Sequence, residues 1–322
     1  MTDRTNRQIS RRAALIGGGI ALGALGAAGL TGAAQARPLL SATAPMIPAP
    51  LVGATFDLVP FPPGTTYDQA VDMWNSATGT TMHCWKVYFQ DSKFPTTIDD
   101  QIQTIINRGI QALLCFKPSR PPMLSPNDRM ALDSTLAMYA KAGLNAEVTL
   151  WQEVGPKDMP ASDYAKVVSY YGPTVQQHYP LVYNAAGYLG PGEWQAYDPG
   201  RPSLDGYAID FYCGDYINKG YRLDTIAELA GPLPIGIWEM GNTTSANFFP
   251  TDAQLSEFFG YITGFLTGRA ASGGAIGSSA WFNGPATAGQ SGQNEIVGTN
   301  PNPLAARDIA LYQKFYADID SG

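Results

Sequence analysis

Cysteine and histidine are scarce in this chain, and their scarcity argues against two common kinds of site. The 322 residues include three Cys and two His. An odd number of cysteines is not a disulfide framework, and free thiols inside apolar runs behave as small buried hydrophobes. We therefore expect Cys84, Cys115 and Cys213 to be buried thiols, with a Cys84–Cys115 bridge as the alternative. No Cys-x-x-Cys or His-x-x-x-His spacing occurs, so neither a metal nor another cofactor is expected.

Positive charge and long apolar runs are also in short supply. The chain has 20 Lys and Arg against 27 Asp and Glu, a formal charge of −7. An acidic surface repels nucleic acid and anionic lipid. Beyond the N-terminal segment, no apolar run reaches the roughly 20 residues needed to span a bilayer. We expect no nucleic-acid partner and no membrane contact in the mature chain, and we take a monomer as the default.

The first 36 residues have the pattern of an export signal. Arg11 and Arg12 precede an uncharged run rich in Gly, Ala and Leu, which ends in the small-x-small pattern of Ala34 to Ala36. The paired arginines indicate twin-arginine export and a secreted protein; a Sec signal or a retained anchor is the alternative. This segment carries four Arg and one Asp, so its removal changes the formal charge from −7 to −10. Residues 37–50 are predicted to be a linker.

From residue 51 onward, short apolar runs alternate with longer amphipathic ones. Eight strands are predicted, at 51–57, 82–89, 110–117, 145–153, 181–188, 206–213, 233–239 and 275–283. Helices are predicted near 67–76, 98–107, 126–142, 161–178, 222–230, 251–268 and 303–318, with only a turn near 192–197. The strands are apolar nearly throughout, which is typical of parallel strands buried on both faces.

This alternation predicts the fold class: α/β, a single-domain (β/α)8 TIM barrel over residues 51–322. The alternative is an open doubly wound sheet, which normally carries a glycine-rich phosphate loop after its first strand. Here the first strand runs instead into a proline-rich segment at residues 57–64. The barrel is therefore favoured, and its functional site is expected at the C-terminal ends of the strands.

Two glutamates follow tryptophans at the ends of predicted strands four and seven. They are Glu153, two residues after Trp151, and Glu239, directly after Trp238. A retaining glycosidase uses two carboxylates, one as acid and base and the other as nucleophile. We interpret Glu153 as the acid/base and Glu239 as the nucleophile. The alternative for each is a solvated or salt-bridged residue just past a strand.

The other predicted strand ends supply aromatic and amide side chains, which suit the binding of sugar rings and hydroxyls. Tyr216 is predicted to donate a hydrogen bond to the nucleophile. Trp281 is a stacking platform or, equally, a core residue, and Asn283 is an amide ligand for hydroxyls. Tyr88 and Tyr188 line outer sugar subsites or cover the barrel rim.

Several other groups at the strand ends have simpler structural interpretations. Lys117 and Arg120 could bind substrate oxygens, but pairing with Asp side chains is favoured. Asp210 is expected to make a contact inside the barrel, and Asp57 to begin a turn. Residues 284–302 are rich in Gly, Asn and Pro, and a loop of that length after strand eight is a candidate lid.

Short motifs in this chain resemble clan A glycoside hydrolases and are most similar to family 26, which contains β-mannanases and related endo-β-glycanases. The motifs are Trp151–Glu153, Asp163–Tyr164, Gly206–Tyr212 with Asp215–Tyr216, and Ile237–Gly241. The resemblance implies an acid/base at Glu153, a nucleophile at Glu239, a nucleophile-binding tyrosine at Tyr216 and the strand-eight tryptophan at Trp281. The residue before the acid/base is usually His in family 26; here it is Gln152, which can still donate to a sugar hydroxyl.

The residues and the resemblance together predict a secreted retaining endo-β-glycosidase acting on a polysaccharide or oligosaccharide by double displacement. Two alternatives stay open. The unusual Gln152 is compatible with a non-catalytic carbohydrate-binding TIM barrel. A barrel hydrolase or lyase acting on another bond, such as a phosphodiester, is less favoured because histidine and metal-ligand spacing are lacking.

Overall fold

The computed structural model describes residues 51–320 except 57, 59, 90, 91, 243–249, 284–293, 299–300 and 302–303. The predicted signal segment and linker, Asp57 and most of the candidate lid therefore lie outside the described residues. The strands are β1 (Val52–Thr55), β2 (Cys84–Phe89), β3 (Gln111–Phe116), β4 (Ala146–Leu150), β5 (Val182–Ala186), β6 (Gly206–Tyr212), β7 (Ile235–Gly241) and β8 (Ile276–Phe282).

Helices follow the strands in regular alternation. They are α1 (Tyr67–Thr78), α2 (Asp100–Arg108), α3 (Pro126–Lys141), α4 (Ala161–Val175), α5 (Pro191–Tyr197), α6 (Cys213–Lys219), α7 (Asp224–Ala230), α8 (Asp252–Ala271) and α9 (Ala305–Asp320), with a 3₁₀ turn at Arg201–Ser203. None of these described helices combines the length and apolar character that crossing a membrane would need.

The eight strands form one parallel sheet that nearly closes on itself. Their order is β4-β3-β2-β1-β8-β7-β6-β5. The two ends of this order meet at a parallel bridge between Val148 and Leu181, where the Val148 N–H donates to the carbonyl of Pro180 at 3.0 Å. The (β/α)8 prediction is confirmed, because an open doubly wound sheet would leave β4 and β5 apart.

The apolar strands are buried on two sides. Their outward faces pack against the helices, and inside the barrel a separate apolar layer is formed by Cys84, Leu113, Cys115, Val182, Ala208, Trp238 and Ala280. The three cysteines are free and buried, so the thiol prediction is confirmed. A packed interior of this kind is the normal state of an eight-stranded barrel.

Polar side chains lie on both sides of the interior apolar layer. Towards the strand N-termini, Ser278 donates to Gln111 at 2.9 Å and Gln111 donates to Glu147 at 3.0 Å. Towards the strand C-termini lie Lys86 and Asp210, each two residues further along its strand than a member of the apolar layer. The open end formed by the strand C-termini and the following loops is called the mouth below.

Helix starts are set by local sequence. Thr66 and Gln69 form a capping box at the start of α1, and Thr251 and Gln254 form another at the start of α8. Each cap satisfies backbone N–H groups that the first helical turn leaves free, and it stabilises the helix by about 1 kcal/mol. These caps fix where the chain turns back from the mouth.

Two helices differ from the sequence prediction. The segment predicted only as a turn near 192–197 forms α5, and α6, which was not predicted, begins at Cys213, the last residue of predicted strand six. Each has seven residues and contains a glycine, Gly192 or Gly214, which favours helices weakly; α7 is equally short but lacks glycine, and it was predicted. Because of α6, Asp215 and Tyr216 lie on a helix and not at a strand end.

Candidate active site

A β-bulge in β7 aims Glu239 into the barrel. Ala208 pairs with Gly236 and Asp210 pairs with Glu239, so two residues of β7 lie opposite one of β6. The usual alternation is broken there: Trp238 belongs to the interior apolar layer, and the next residue, Glu239, also contacts interior groups. Bulges commonly redirect side chains next to active sites, and this one gives Glu239 a position that simple alternation would deny it.

Lys86 is the cation at the centre of the site. Its side chain is fully buried, and Nζ lies 2.8 Å from both carboxylate oxygens of Asp210 and 2.9 Å from Oε1 of Glu239. Burial alone would lower the pKa of Lys86, but the two carboxylates outweigh it and hold that pKa well above its usual range. One cation therefore holds two acidic side chains at the top of the interior.

Tyr212 supplies the second contact to Glu239. It is the last residue of β6, and its hydroxyl donates a hydrogen bond to Oε2 of Glu239. Burial, followed by the nearby charges of Asp210 and Glu153, raises the pKa of Tyr212 well above its usual value, so the hydroxyl remains a donor. The two carboxylate oxygens of Glu239 thus have different partners, one cationic and one neutral.

Glu153 reaches the mouth through an unusual backbone. Trp151 and Glu153, just after β4, both have left-handed conformations, with φ of 59° and 53°. Such conformations cost non-glycine residues roughly 1–2 kcal/mol each and tend to cluster at functional sites. The Glu153 N–H donates to the carbonyl of Asn184 on β5 at 3.2 Å. The resulting turn buries Gln152 and leaves Glu153 partly exposed.

The carboxyl group of Glu153 differs electrostatically from that of Glu239. Burial and the charge of Asp210 raise the pKa of Glu153 to about 7, against the opposing effects of Lys86 and Lys117. Near pH 7, Glu153 is therefore divided between its protonated and ionised forms, whereas Glu239 is ion-paired with Lys86. A protonated and an ion-paired carboxyl group beside the same Lys86–Asp210 pair are suited to acid/base and nucleophilic roles.

The predicted contact between Tyr216 and Glu239 is wrong. Because Tyr216 lies on α6, its side chain turns away and its hydroxyl donates to Glu257 on α8 at 3.0 Å. Its ring stacks on Tyr261 at 4.8 Å between ring centroids, and the Arg222 guanidinium lies 3.9 Å from the Tyr216 ring. The residue that holds Glu239 is Tyr212, four positions earlier.

Trp281 and Asn283 serve the structure of the barrel. Trp281 is fully buried, stacks on Phe259 and donates its Nε1–H to the carbonyl of Asn294 at 2.9 Å, so the core alternative is the correct one. Asn283 is also fully buried. Its amide donates to the carbonyl of Val297 and accepts from the N–H groups of residues 296 and 297, so the predicted sugar contact is wrong in this arrangement.

The remaining predicted ligands lie at the mouth. Tyr88 and Tyr188 are partly exposed, and Nζ of Lys86 lies 5.3 Å from the ring centroid of Tyr88. Burial, together with the charge of Glu153, raises the pKa of Tyr188 to about 12. Gln152 is buried, and its Oε1 has no hydrogen-bond partner among the described residues. These locations leave the substrate-binding roles of all three residues as predictions.

Three residues of the site escaped the sequence analysis in whole or in part. Lys86 was not considered, Tyr212 was passed over for Tyr216, and Asp210 was correctly placed inside the barrel without its partner. A signal was available, since a lysine and an aspartate in the middle of apolar strands must be paired when they are buried. In the part of the chain that the structure describes, no group of three or more His, Cys, Asp or Glu side chains is arranged to hold a metal ion.

Comparisons with known proteins give a likeness of fold. No family model matches the chain, and no curated protein matches it. Among solved structures, a family 128 subgroup II endo-β-1,3-glucanase from Pseudomonas viridiflava is 14% identical, with 81% of this chain and 97% of that chain covered and a TM-score of 0.51. A modular family 26 endo-β-1,4-mannanase from Cellulomonas fimi is 15% identical, with 84% and 71% covered and a TM-score of 0.53.

A third similar structure is a mutant form of a family 5 mannosidase from Rhizomucor miehei. It is 10% identical, with 85% of this chain and 94% of that chain covered and a TM-score of 0.53. The fold resembles those of glycoside hydrolases in clan A, as the sequence motifs predicted. At these identities the likeness is one of fold, and the assignment of chemistry rests on the site itself.

Proposed function

We propose that this chain is a retaining endo-β-glycosidase that cleaves a polysaccharide by double displacement, with Glu153 as acid/base and Glu239 as nucleophile. The observation that carries the proposal is that two carboxyl groups at the mouth have different electrostatic surroundings. Glu239 is held by the Lys86 ammonium and the Tyr212 hydroxyl, and the pKa of Glu153 is raised by burial to about 7. Pairs of carboxyl groups separated in this way mark acid/base and nucleophile assignments in enzymes.

The proposed first step forms a bond between Glu239 and the sugar. A carboxylate oxygen of Glu239 attacks the anomeric carbon while the proton of Glu153 passes to the glycosidic oxygen, and the carbon–oxygen bond to the leaving sugar breaks. The Tyr212 hydroxyl and Lys86 orient the attacking carboxylate. Glu153 is left ionised, beside Lys86 and Lys117, whose charges stabilise that form.

The proposed second step releases the product. Glu153, now a base, takes a proton from water, and the water oxygen displaces Glu239 from the anomeric carbon. Both carboxyl groups return to their starting states, and the anomeric configuration is retained because it inverts twice. No redox partner is consumed in either step.

The proposed substrate is a β-linked glycan. The similar structures include an endo-β-1,3-glucanase and an endo-β-1,4-mannanase, and aromatic side chains at the mouth, such as Tyr88 and Tyr188, supply faces for sugar rings. The proposal includes export of the chain by the twin-arginine route, for which the support is Arg11 and Arg12 before the apolar run. Replacement of both arginines by lysine should retain the protein in the cell; undiminished secretion would contradict this route.

The decisive experiment measures reducing-sugar release by the mature protein from β-glucans, β-mannans and xylans, with Glu153→Gln and Glu239→Gln beside it. We expect release by the wild type and a loss of at least roughly 10³-fold in Glu239→Gln. Glu257→Gln is a matched control, because Glu257 contacts Tyr216 outside the site. The anomeric configuration of the sugar first released, monitored by NMR, tests whether the configuration is retained. Full activity in Glu239→Gln, or an inverted product, would contradict the proposal.

A further inference from the structure

Two cations flank the indole ring of Trp151 at the mouth. Nζ of Lys117 lies 5.7 Å from the ring centroid, and Cζ of Arg120 lies 5.5 Å from it. The ring is fixed by its Nε1–H, which donates to the carbonyl of Pro118 at 2.9 Å. Trp151 and Lys117 are partly exposed, and Arg120 is exposed. An aromatic ring and two positive charges therefore lie together at the mouth.

The position of these residues is set by neighbouring strands. Lys117 directly follows β3 and Trp151 directly follows β4, and the Trp151 N–H donates to the carbonyl of Phe116 at 2.8 Å. Glu153 comes two residues later, and Lys117 acts on it electrostatically, lowering its pKa against the larger effect of burial. The cationic pair is therefore part of the mouth, beside the proposed acid/base.

Three acidic side chains at the mouth are paired with lysines. Asp210 and Glu239 share Lys86, and Asp215 pairs with Lys219 at 2.8 Å. Burial raises the pKa of Glu153 to about 7, so its negative charge is reduced at neutral pH.

Among the described residues, neither Lys117 nor Arg120 lies within salt-bridge distance of a carboxylate. The expectation that Lys117 and Arg120 pair with Asp side chains is wrong within the described residues, where neither cation forms a salt bridge. In a chain with a formal charge of −7, two cations that form no salt bridge within the described residues are a distinctive feature of the mouth.

We propose that Lys117 and Arg120 bind an acidic substituent of the glycan, so that the substrate is a chain bearing carboxylate groups, such as uronic acid units. This inference rests on the proposed function for its place at the mouth. An arginine recognises a planar carboxylate through two parallel hydrogen bonds, and a fixed indole beside it supplies a face for the sugar ring. Sulfate shares the charge but lacks the planar geometry, so the test includes a sulfated polymer.

The experiment compares acidic and neutral polymers built on the same backbone. Binding is measured by affinity electrophoresis with the Glu239→Gln variant, so that the polymer is not consumed. Hydrolysis is measured with the mature chain that retains Glu239. The pairs are carboxymethylcellulose with hydroxyethylcellulose, and glucuronoxylan with unsubstituted xylan; sulfated xylan is the third arm. We expect at least tenfold tighter binding of the carboxylated member of at least one pair, with affinity falling as salt is added. Because the whole protein is acidic, nonspecific attraction would give the opposite preference.

Charge-removing variants locate the site. Lys117→Gln with Arg120→Gln should weaken binding of the acidic polymer at least tenfold more than it weakens binding of the neutral polymer. Arg129→Gln is the matched control, because Arg129 lies 5.2 Å from the ring centroid of Tyr170 on the outer helices. Circular dichroism and thermal unfolding confirm that each variant is folded.

The outcomes separate this inference from the proposed function. Equal binding of acidic and neutral polymers, or equal loss of both in the double variant, would overturn the inference. A preference for the sulfated over the carboxylated polymer would overturn the carboxylate assignment. Hydrolysis of neutral polymers alone, abolished by Glu239→Gln, would support the proposed function and reject the inference. Selective binding of acidic polymers through Lys117 and Arg120, without any hydrolysis, would support the inference and reject the proposed function.

Discussion

The hydroxyl of Tyr212 and the carboxylate of Glu239 are joined by a buried hydrogen bond at the barrel mouth, between adjacent strands β6 and β7. Both residues are buried, so the bond is shielded from competing water, and a donor fixed in a water-poor site acts more strongly on a charged partner than it would in water. Tyr212 is therefore placed to hold one oxygen of Glu239 while the other faces Lys86.

Removal of the Tyr212 hydroxyl should reduce turnover without loss of the fold. Tyr212→Phe keeps the ring and deletes the donor, and we expect kcat to fall roughly 10²-fold, in the range seen for single lost donors in active sites. Tyr216→Phe is the control, since its hydroxyl contacts Glu257 and its loss should change kcat less than about twofold. Initial-rate kinetics on both variants decide the matter. A larger effect of Tyr216→Phe would restore the prediction made from the sequence.

Removal of the Lys86 charge should destabilise the protein. Lys86→Met leaves Asp210 and Glu239 buried without their cation, which costs about 3–5 kcal/mol in comparable cases. The double variant Lys86→Met with Asp210→Asn removes one orphaned charge and should recover part of that loss. Lys166→Met, which breaks a pair on an exposed helix surface, should cost less than about 1 kcal/mol. Urea unfolding measures all three; an unchanged free energy of unfolding in Lys86→Met would contradict the pairing.

The activity of the protein should decline with rising pH around neutrality. Burial raises the pKa of Glu153 to about 7, and the proposed acid must be protonated, so kcat/KM should fall about tenfold per pH unit above that value. Glu153→Gln should lose most activity on natural glycans but retain kcat/KM, which reports the first step, on an aryl glycoside whose leaving group needs no proton; its kcat should still fall, because Glu153 is also the base of the second step. A flat profile from pH 6 to pH 9 in the wild type would argue against Glu153 as the acid.

Stability should also depend on pH, through a second carboxyl group. Burial raises the pKa of Glu147 from 4.5 to about 7, so the folded state binds that proton more tightly than the unfolded state does. The corresponding stabilisation is complete below pH 4.5 and is lost as pH rises through about 7. Glu147→Gln should therefore gain stability relative to wild type between these values, by up to about 3 kcal/mol. Glu228→Gln, on the exposed face of α7, is the control and should show no such gain in urea unfolding.

Trp281 should behave as a core residue in mutagenesis. It is fully buried against Phe259, so Trp281→Ala should lower the free energy of unfolding by about 3–5 kcal/mol. Where the variant remains folded, KM should change little. A stacking platform would give the reverse pattern, a large rise in KM with little change in the urea midpoint. The comparison variant is Tyr88→Ala, at the mouth, for which we expect a rise in KM.

The fold could be read from the sequence because its strands are buried on both faces. Continuous apolar runs predicted all eight strands to within three residues of the observed ends. The seven-residue helices α5 and α6 were not recognised because each contains a glycine, which favours helices weakly; the equally short α7 lacks glycine and was predicted. Their positions depend on packing against α7 and α8, which no local pattern encodes.

The site was predictable in its outline and not in its detail. Glu153 and Glu239 were placed at the mouth by their positions at strand ends. The choice between Tyr212 and Tyr216 depended on where β6 ends and α6 begins. β6 ends at Tyr212 and α6 begins at the next residue, so Tyr212 is at the strand end and Tyr216 is on the helix. Trp281 follows the inward-facing Ala280, so strict alternation would have assigned it to the outer core. Lys86 was missed because its partners, Asp210 and Glu239, are more than 100 residues away in the sequence. Only closure of the barrel brings the three side chains together.

The extra residue in β7 lets two consecutive side chains, Trp238 and Glu239, both face the barrel interior. Side chains on a strand face alternate sides, so a segment one residue shorter between Gly236 and Glu239 would restore regular pairing and move one of the two adjacent inward residues to the helix-facing side. Deletion of the extra residue would keep Glu239 opposite Asp210 but turn Trp238 out of the interior layer beneath it, so the length of β7 is as much a part of the site as its glutamate.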